Sequence, residues 1–219
     1  MNKEVLYCIP GLGLDHRVFE KLQLNHFELR FLDWIPAKKE ESMPAYAKRL
    51  ANGIKANSFS LLGVSLGGIA AIEISKIKKA NRLILISTIK HQDELPTYIK
   101  WMNKFPANQV GAAKMGIELS IALKPFYDKA NKKGNELFQK MVRDSSPEFI
   151  NWGVRVISSW ENKTSIDTPY LHLHGTEDLV FPIKNIDNAL TIKGGTHFMI
   201  YNNAEKISKR IDDFINITY

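Results

Sequence analysis

A turn of small residues between two apolar stretches constrains the fold of this chain most strongly. Phe59–Val64 reads FSLLGV, a continuous apolar run with the length of a buried strand. Leu66–Lys76 follows with the pattern of a helix, and the two are joined through GVSLGG, with Ser65 at the turn itself. A turn this tight either uses small residues for packing alone or presents the serine hydroxyl for chemistry.

Other apolar runs repeat this alternation of strand and helix along the chain. The predicted strands are Val5–Ile9, Glu28–Trp34, Phe59–Val64, Arg82–Ser87, Pro169–His174 and Ala189–Ile192, and the predicted helices include Ser42–Ile54, Leu66–Lys76 and Ala204–Ile215. Continuous apolar strands that alternate with helices are typical of a parallel sheet covered on both faces. We therefore predict an α/β fold with a mostly parallel six-stranded sheet and helices on both faces.

Residues 89–160 interrupt this rhythm. They carry helical patterns without an obvious strand, at Tyr98–Phe105, Val110–Leu123, Asn135–Arg143 and Pro147–Trp160. The simplest interpretation is an insertion of helices between two strands of the sheet. The sequence then divides into a core, residues 1–88 and 161–219, and an inserted helical segment, residues 89–160.

Composition excludes several classes of protein. The 219 residues are 44% hydrophobic, which is enough for one domain with a sizeable core. The net charge of +7 comes from lysines and arginines spread along the chain, without a basic block, so no nucleic-acid partner is expected. The single cysteine, Cys8, excludes an intrachain disulfide framework. Without an apolar stretch of bilayer length or a visible signal peptide, we expect a cytoplasmic protein.

A serine nucleophile needs a base, and the base needs a group that orients it. Two segments downstream of Ser65 supply such groups. HGTEDLVFP follows the fifth predicted strand, and GGTHF, with His197, follows the sixth. Both lie just past the carboxyl ends of strands, where open α/β sheets build their sites. From the residues alone, the acid can be Glu177, Asp178 or Asp187.

Four motifs in order, PGLG, GVSLGG, HGTEDLVFP and GGTHF, resemble those of the α/β-hydrolase fold superfamily, in its serine hydrolase branch. The resemblance covers nearly the whole chain. It implies that Ser65 is the nucleophile, Asp178 the acid and His197 the base of a catalytic triad. It also implies an oxyanion hole formed by the backbone N–H groups of Leu12 and Leu66, with no metal and no organic cofactor.

The resemblance has consequences for the architecture as well. Residues 89–160 correspond to the helical lid of the family. The two antiparallel strands that begin the family's sheet have no counterpart here, which predicts an α/β-hydrolase fold with six strands. The chain has Pro10-Gly11 where the family often has His-Gly, but a backbone donor does not depend on that histidine, so Leu12 remains the matching position.

The leading functional hypothesis is a serine hydrolase that cleaves a small-molecule carboxylic ester or thioester through an acyl-enzyme intermediate, an enzyme of the EC 3.1.1 type. One alternative is a lyase or carbon–carbon bond hydrolase with the same triad. A second is a non-catalytic binding module on a hydrolase scaffold. The expected partner is a small-molecule acyl substrate, and the oligomeric state, monomer or homodimer, is left open.

The remaining reactive and aromatic side chains have simpler interpretations. Cys8 lies inside a strand and is expected to be a buried small hydrophobe. His172 and His174 lie in or at the end of the fifth predicted strand and are interpreted as structural, and Asp15 and His16 as a solvated loop. Three tryptophans of the insertion are expected in the core of the lid, namely Trp101, Trp152 and Trp160.

Overall fold

The computed structural model of the chain describes residues 3–102 and 132–217, and a six-stranded sheet forms their centre. The strands are β1 (Glu4–Ile9), β2 (Phe27–Phe31), β3 (Phe59–Val64), β4 (Leu83–Ile86), β5 (Tyr170–Gly175) and β6 (Leu190–Ile192). Their spatial order is β2-β1-β3-β4-β5-β6, and every neighbouring pair is parallel. The predicted six-stranded α/β fold is therefore confirmed.

Helices cover the sheet, and all but the last two that the structure describes lie between strands in the chain. In the described residues they are α1 (Met43–Leu50), α2 (Leu66–Ser75), α3 (Thr97–Met102), α4 (Lys132–Asp144), α5 (Pro147–Ser159), α6 (Met199–Asn202) and α7 (Ala204–Ile217). The helical patterns predicted at 135–143 and 147–160 fall on α4 and α5. The pattern predicted at 110–123 lies outside the described residues. No helix that the structure describes is long and apolar enough to cross a membrane.

The four central strands are buried on both faces of the sheet, and successive residues of each strand point to opposite sides. Tyr7 and Ile9 of β1 face the layer that contains α1 and α2. Leu6 and Cys8 face the opposite layer, which contains α6 and α7. Cys8 is fully buried, and burial raises the pKa of its thiol, in agreement with the prediction of a small buried hydrophobe. Burial on both sides explains why the strands read as continuous apolar runs.

Within residues 1–88 and 161–219, two predicted boundaries differ from the structure by three residues or more, and the others differ by at most two. β2 ends at Phe31, three residues before the predicted end at Trp34. Beyond it the N–H of Ile35 donates to the hydroxyl of Tyr46 at 2.9 Å, and that hydroxyl donates to the carbonyl of Ile35 at 2.7 Å. The backbone here bonds a side chain and not a neighbouring strand. α1 begins as predicted, with Ser42 capping it through a 3.4 Å hydrogen bond, but ends at Leu50, where a short 3-10 turn takes over.

The strand order reverses between β1 and β3, so the connections that leave the carboxyl ends of these two strands run in opposite directions. Open α/β sheets bind their ligands in the crevice at such a reversal. The loop after β1 and the turn after β3 approach each other there, since a Cβ added to Gly11 would lie 3.4 Å from the Cβ of Ser65. The fold therefore brings the PGLG and GVSLGG motifs to one place.

Candidate active site

Ser65 has a backbone conformation that serine rarely adopts. It stands between β3 and α2 with φ 53° and ψ −119°, in the half of conformational space that favours glycine. Its N–H donates to the carbonyl of Ile86 at 3.0 Å, and its carbonyl accepts from the hydroxyl of Thr88 at 2.7 Å. The end of β4 and the residues after it thus hold the strained turn in place.

The glycines on either side of Ser65 are required by close backbone contacts. A Cβ on Gly63 would collide with the backbone of Gly67, and a Cβ on Gly67 would collide with the carbonyl oxygen of Ile9. The turn can therefore pack against the end of β1 only when both positions lack a side chain. This steric requirement explains the two glycines of the G-x-S-x-G pattern.

Three of the predicted site residues form a continuous line of hydrogen bonds. Ser65 Oγ lies 3.0 Å from His197 Nε2, and His197 Nδ1 lies 2.8 Å from Asp178 Oδ2. Because an ionised carboxylate only accepts, the proton of the neutral imidazole is assigned to Nδ1, and the lone pair of Nε2 then faces the serine hydroxyl. Ser65 and Asp178 are 7% and 3% exposed, so the line is largely shielded from water.

Asp178 is held by three hydrogen bonds and by a longer contact with His174. Its Oδ1 accepts from the backbone N–H groups of Val180 and Phe181, both at 2.9 Å, and its Oδ2 lies 2.8 Å from His197 and 3.3 Å from Nε2 of His174. Burial by itself would raise the pKa of Asp178. The charge of His197 and the hydrogen bonds from both histidines outweigh it and hold this pKa well below its ordinary value.

The other two candidate acids lie elsewhere. Glu177 is exposed, and its backbone N–H donates to the carbonyl of Gly195 at 2.8 Å. Asp187 is also exposed, and its carbonyl accepts from Lys90 Nζ at 2.6 Å. Among the residues that the structure describes, Asp178 is the carboxylate that bonds His197.

The predicted backbone donors, Leu12 and Leu66, flank the turn of Ser65. Leu66 is the first residue of α2 and is fully buried, and Leu12 lies in the loop after β1, with its side chain against Gly153 of α5. Neither backbone N–H donates a hydrogen bond to another group within residues 3–102 and 132–217. Both donors are therefore unused by the described part of the protein.

Helices α4 and α5 lie against the loop that follows β1. A Cβ on Gly13 would lie 3.1 Å from Ile150 of α5 and 3.4 Å from Val142 of α4. The ring of Phe138 in α4 packs edge-on against Phe198, with 5.3 Å between centroids. Phe198 follows His197 in the chain, so the two helices contact both the PGLG loop and the segment that carries the histidine.

Two of the three tryptophans predicted in the core of the lid are buried, but they pack into the main core, in the layer that contains α1 and α2. The indole N–H of Trp152 donates to the carbonyl of Glu41 at 2.8 Å, and that of Trp160 to the carboxylate of Glu73 at 2.9 Å. The side chain of Trp101 lies outside the described residues. The two tryptophans therefore connect α5 and its carboxyl end to the segments around α1 and α2.

The prediction that Asp15 and His16 form a solvated loop fits His16 well and Asp15 only in part. The side chain of His16 is 55% exposed and stands 3.6 Å from Asp33. Asp15 is only partly exposed, since Arg17 donates to both of its oxygens. Asp15 also accepts from the backbone N–H of Arg17, so it caps the short turn that follows the loop.

Sequence reasoning missed two residues that contact this site. No sequence signal marks Thr88, because a threonine after a strand carries none of its own. The sequence predicts a structural role for His174, yet its Nε2 lies 3.3 Å from Asp178 Oδ2. A usable signal exists in YLHLHG, where alternation along β5 places His172 and His174 on one face, immediately before the turn that carries the acid.

Comparison with solved structures covers nearly the whole chain. An esterase from Thermogutta terrifontis, with malate bound, is 18% identical, with a TM-score of 0.76, over 98% of this chain and 90% of its own. MenH from S. aureus is 19% identical, with a TM-score of 0.77, over 99% and 95%. A bromoperoxidase from Bacillus anthracis is 15% identical, with a TM-score of 0.68, over 98% and 92%.

No protein-family model matches the chain, and no curated protein matches its sequence. The structural alignments, the parallel sheet and the strained serine turn after β3 nevertheless agree on one architecture. The chain has the α/β-hydrolase fold.

Proposed function

We propose that the chain is a serine hydrolase that cleaves a small-molecule carboxylic ester or thioester through an acyl-enzyme intermediate. The observation that carries the proposal is the line from Ser65 through His197 to Asp178, with contacts of 3.0 and 2.8 Å, at a strained strand-to-helix turn. The comparisons alone do not choose an activity, because structures named esterase, MenH and bromoperoxidase all align. The proposal therefore rests on side-chain chemistry.

In the proposed acylation step, Ser65 Oγ attacks the carbonyl carbon while its proton passes to Nε2 of His197. The negative charge of Asp178 stabilises the imidazolium and keeps Nδ1–H in place. When the tetrahedral intermediate collapses, the C–O or C–S bond breaks and His197 returns the proton to the leaving alcohol or thiol. A water molecule then attacks the acyl-serine with His197 again as base, which releases the acid and restores the Ser65 hydroxyl.

The backbone N–H groups of Leu12 and Leu66 are the proposed donors to the oxyanion of the tetrahedral intermediate. Both are free of partners among the described residues, and both flank Ser65. Leu66 opens the ten-residue helix α2, whose N-terminus adds a favourable dipole for negative charge. One such donor typically contributes a factor of about 10²–10³ to kcat.

We further propose that residues 89–160 form a lid over this site, on a core of residues 1–88 and 161–219. The contacts of α4 and α5 with the loop around Gly13 and with Phe198 support this role. A lid in that position would exclude water from the reacting groups and would shape the pocket for the acyl chain.

Substitution of Ser65 tests the proposed function directly. Ser65→Ala should lower kcat by at least about 10⁴-fold, because the nucleophile is lost while the fold is kept. The assay is a panel of p-nitrophenyl esters of increasing chain length together with acyl-thioesters. A fluorophosphonate should label the wild-type protein at Ser65, as located by peptide mass spectrometry.

Ser87 offers a matched control. It is also a buried serine with a positive φ, 49°, directly after the neighbouring strand β4. Ser87→Ala should keep both turnover and labelling. Full activity in Ser65→Ala, or labelling at another residue, would contradict the proposal. Labelling of Ser65 without hydrolysis of either panel would favour the lyase or carbon–carbon bond hydrolase.

A further inference from the structure

We infer that His174 is a positioning residue for the proposed catalytic acid, and that its Nε2–H holds both the carboxylate of Asp178 and the turn that carries it. The inference rests on the proposed function, because it assigns His174 a role within that site. His174 is fully buried near the end of β5. Its Nε2 lies 2.7 Å from the carbonyl oxygen of Phe181 and 3.3 Å from Asp178 Oδ2.

The contacts of His174 determine which ring nitrogen carries its proton. A carbonyl oxygen only accepts, so Nε2 must be the donor to Phe181. Nδ1 is buried and has no hydrogen-bond partner in the described part of the chain. The ring is therefore assigned the Nε2–H tautomer, which donates its one proton to the carbonyl of Phe181, with Asp178 Oδ2 3.3 Å from the same nitrogen.

His174 differs from the other donors to Asp178 in where it is anchored. Val180 and Phe181 belong to the same turn as the carboxylate and move with it. His197 exchanges a proton with Ser65 in each proposed step, so its own hydrogen bonds change during the reaction. His174 belongs to β5, which pairs with a strand on each side. It therefore ties the acid to a strand that is hydrogen-bonded on both sides.

This anchor matters for the orientation of His197. Asp178 can hold Nδ1–H in line only if its Oδ2 stays in place while the imidazole becomes charged and neutral again. A second donor at 3.3 Å from the same oxygen restricts rotation of the carboxylate. Loss of that donor should therefore lower kcat and leave KM nearly unchanged, because the contact supports the charged imidazolium and not the bound substrate.

His172 provides a matched control on the same strand and face. It is buried, and its ring centroid lies 5.6 Å from that of His174. Its nitrogens, however, contact Lys90 Nζ and the carbonyl of Thr88, both at 3.1 Å. His172→Phe removes a buried imidazole of β5 without touching Asp178, so it should lower stability and leave kcat of the folded protein unchanged.

The experiment compares kcat and KM of folded His174→Phe, His174→Gln and His172→Phe with the wild type. His174→Phe should lower kcat roughly 10- to 100-fold, by analogy with the loss when a residue that orients a metal ligand is removed. His174→Gln should recover most of this loss, since its amide nitrogen can occupy the position of Nε2 and donate. Wild-type kcat in His174→Phe, or an equal loss in His172→Phe, would overturn the inference.

A double-mutant cycle separates positioning from general damage to the site. If His174 acts through Asp178, His174→Phe should have no further effect on the residual kcat of Asp178→Asn. The same fold-loss in both backgrounds would overturn the inference. If the phenylalanine variant does not fold, ¹⁵N spectra of the wild-type histidines still test it: His174 should be the Nε2–H tautomer, and the Nδ1–H tautomer would overturn it.

Labelling separates failure of this inference from failure of the proposed function. A wild-type protein that a fluorophosphonate does not label at Ser65 removes the proposed function, and the inference with it. A protein that is labelled at Ser65, but in which folded His174→Phe turns over at the wild-type rate, keeps the proposed function and loses only the role of His174.

Discussion

Two clusters of buried charge contact the same face of β5. They differ in whether every polar group has all of its hydrogen-bond partners within the protein. The first is the line of Ser65, His197 and Asp178. The second centres on Lys90, whose Nζ bonds Glu94 at 2.6 Å, the carbonyl of Asp187 at 2.6 Å and Nδ1 of His172 at 3.1 Å. An ammonium group has three protons, so these three acceptors use all of them.

The first cluster keeps a group available for reaction, whereas the second uses all the protons of its ammonium group. In the described residues the Ser65 hydroxyl has one hydrogen-bond partner, His197, and its oxygen keeps lone pairs for an incoming carbon. The backbone at Ser65 is strained, whereas no positive φ occurs at Lys90, Glu94 or His172. Buried charge by itself is thus a poor sign of an active site. An unused nucleophile beside a base is the informative feature.

The strongest test of this contrast is Asp178→Asn. We expect kcat to fall by about 10³- to 10⁴-fold with the fold retained, because an amide in place of the carboxylate favours the wrong tautomer of His197 and does not stabilise its cation. The measurement is kcat on the preferred ester, with circular dichroism as the check on folding. Glu177→Gln, next to it and exposed, should keep wild-type activity. A loss below about tenfold would contradict the role of Asp178.

The second cluster should respond in stability and not in activity. Glu94→Gln should lower the free energy of unfolding by about 3–5 kcal/mol, because it leaves the cation of Lys90 buried without its charged partner. Urea unfolding measures the loss, and kcat of the folded fraction should not change. Removing both charges, in Lys90→Met/Glu94→Gln, should recover part of the stability. A single-variant loss below about 1 kcal/mol would show that the pair contributes little.

Lowering the pH is expected to have a smaller effect on the free energy of unfolding. Burial, followed by the charge of Lys90, holds the pKa of His172 well below its ordinary value. The folded protein keeps His172 neutral, whereas the unfolded chain takes up a proton as the pH falls through about 6.5. The unfolded state then binds more protons, so the free energy of unfolding should fall from pH 7 toward pH 5, by at most about 1.4 kcal/mol per pH unit from this group.

Urea unfolding at pH 5, 6 and 7 measures this dependence, and His172→Phe should reduce it. An unchanged slope in the variant would contradict the assignment to His172. The carboxylate of Asp178 contributes in a different range. Its pKa is lowered in the folded state, so its stabilisation is present above about pH 4 and is lost only as the pH falls further. The two clusters are therefore distinguishable when the measurements are extended below about pH 4.

Much of the fold and of the candidate site was accessible from the sequence because it depends on local sterics. The apolar run of β3 and the spacing of Gly63 and Gly67 around Ser65 follow from how closely the turn approaches its neighbours. The positions of Asp178 and His197 after their strands follow from the topology of a parallel sheet.

The remainder depends on contacts between segments far apart in the chain. Lys90 and His172 are 82 residues apart, and only the folded sheet brings them together. The early end of β2 depends on the Tyr46 hydroxyl, which the pattern of the strand does not reveal. The sequence does not distinguish His174 from other buried residues of a strand. Its contacts depend on the turn after β5, which places the carboxylate of Asp178 and the carbonyl of Phe181 beside its Nε2.

The strained turn at Ser65 has a consequence for how the protein can be optimised. A backbone in this region costs a residue with a side chain about 1–3 kcal/mol, whereas glycine occupies it with little penalty. A glycine at this position would therefore raise the thermal stability of the fold, but it would remove the hydroxyl. A selection for stability alone, with no demand on turnover, would remove the serine at φ 53°. Engineering of this scaffold has to treat residue 65 as fixed and seek stability elsewhere.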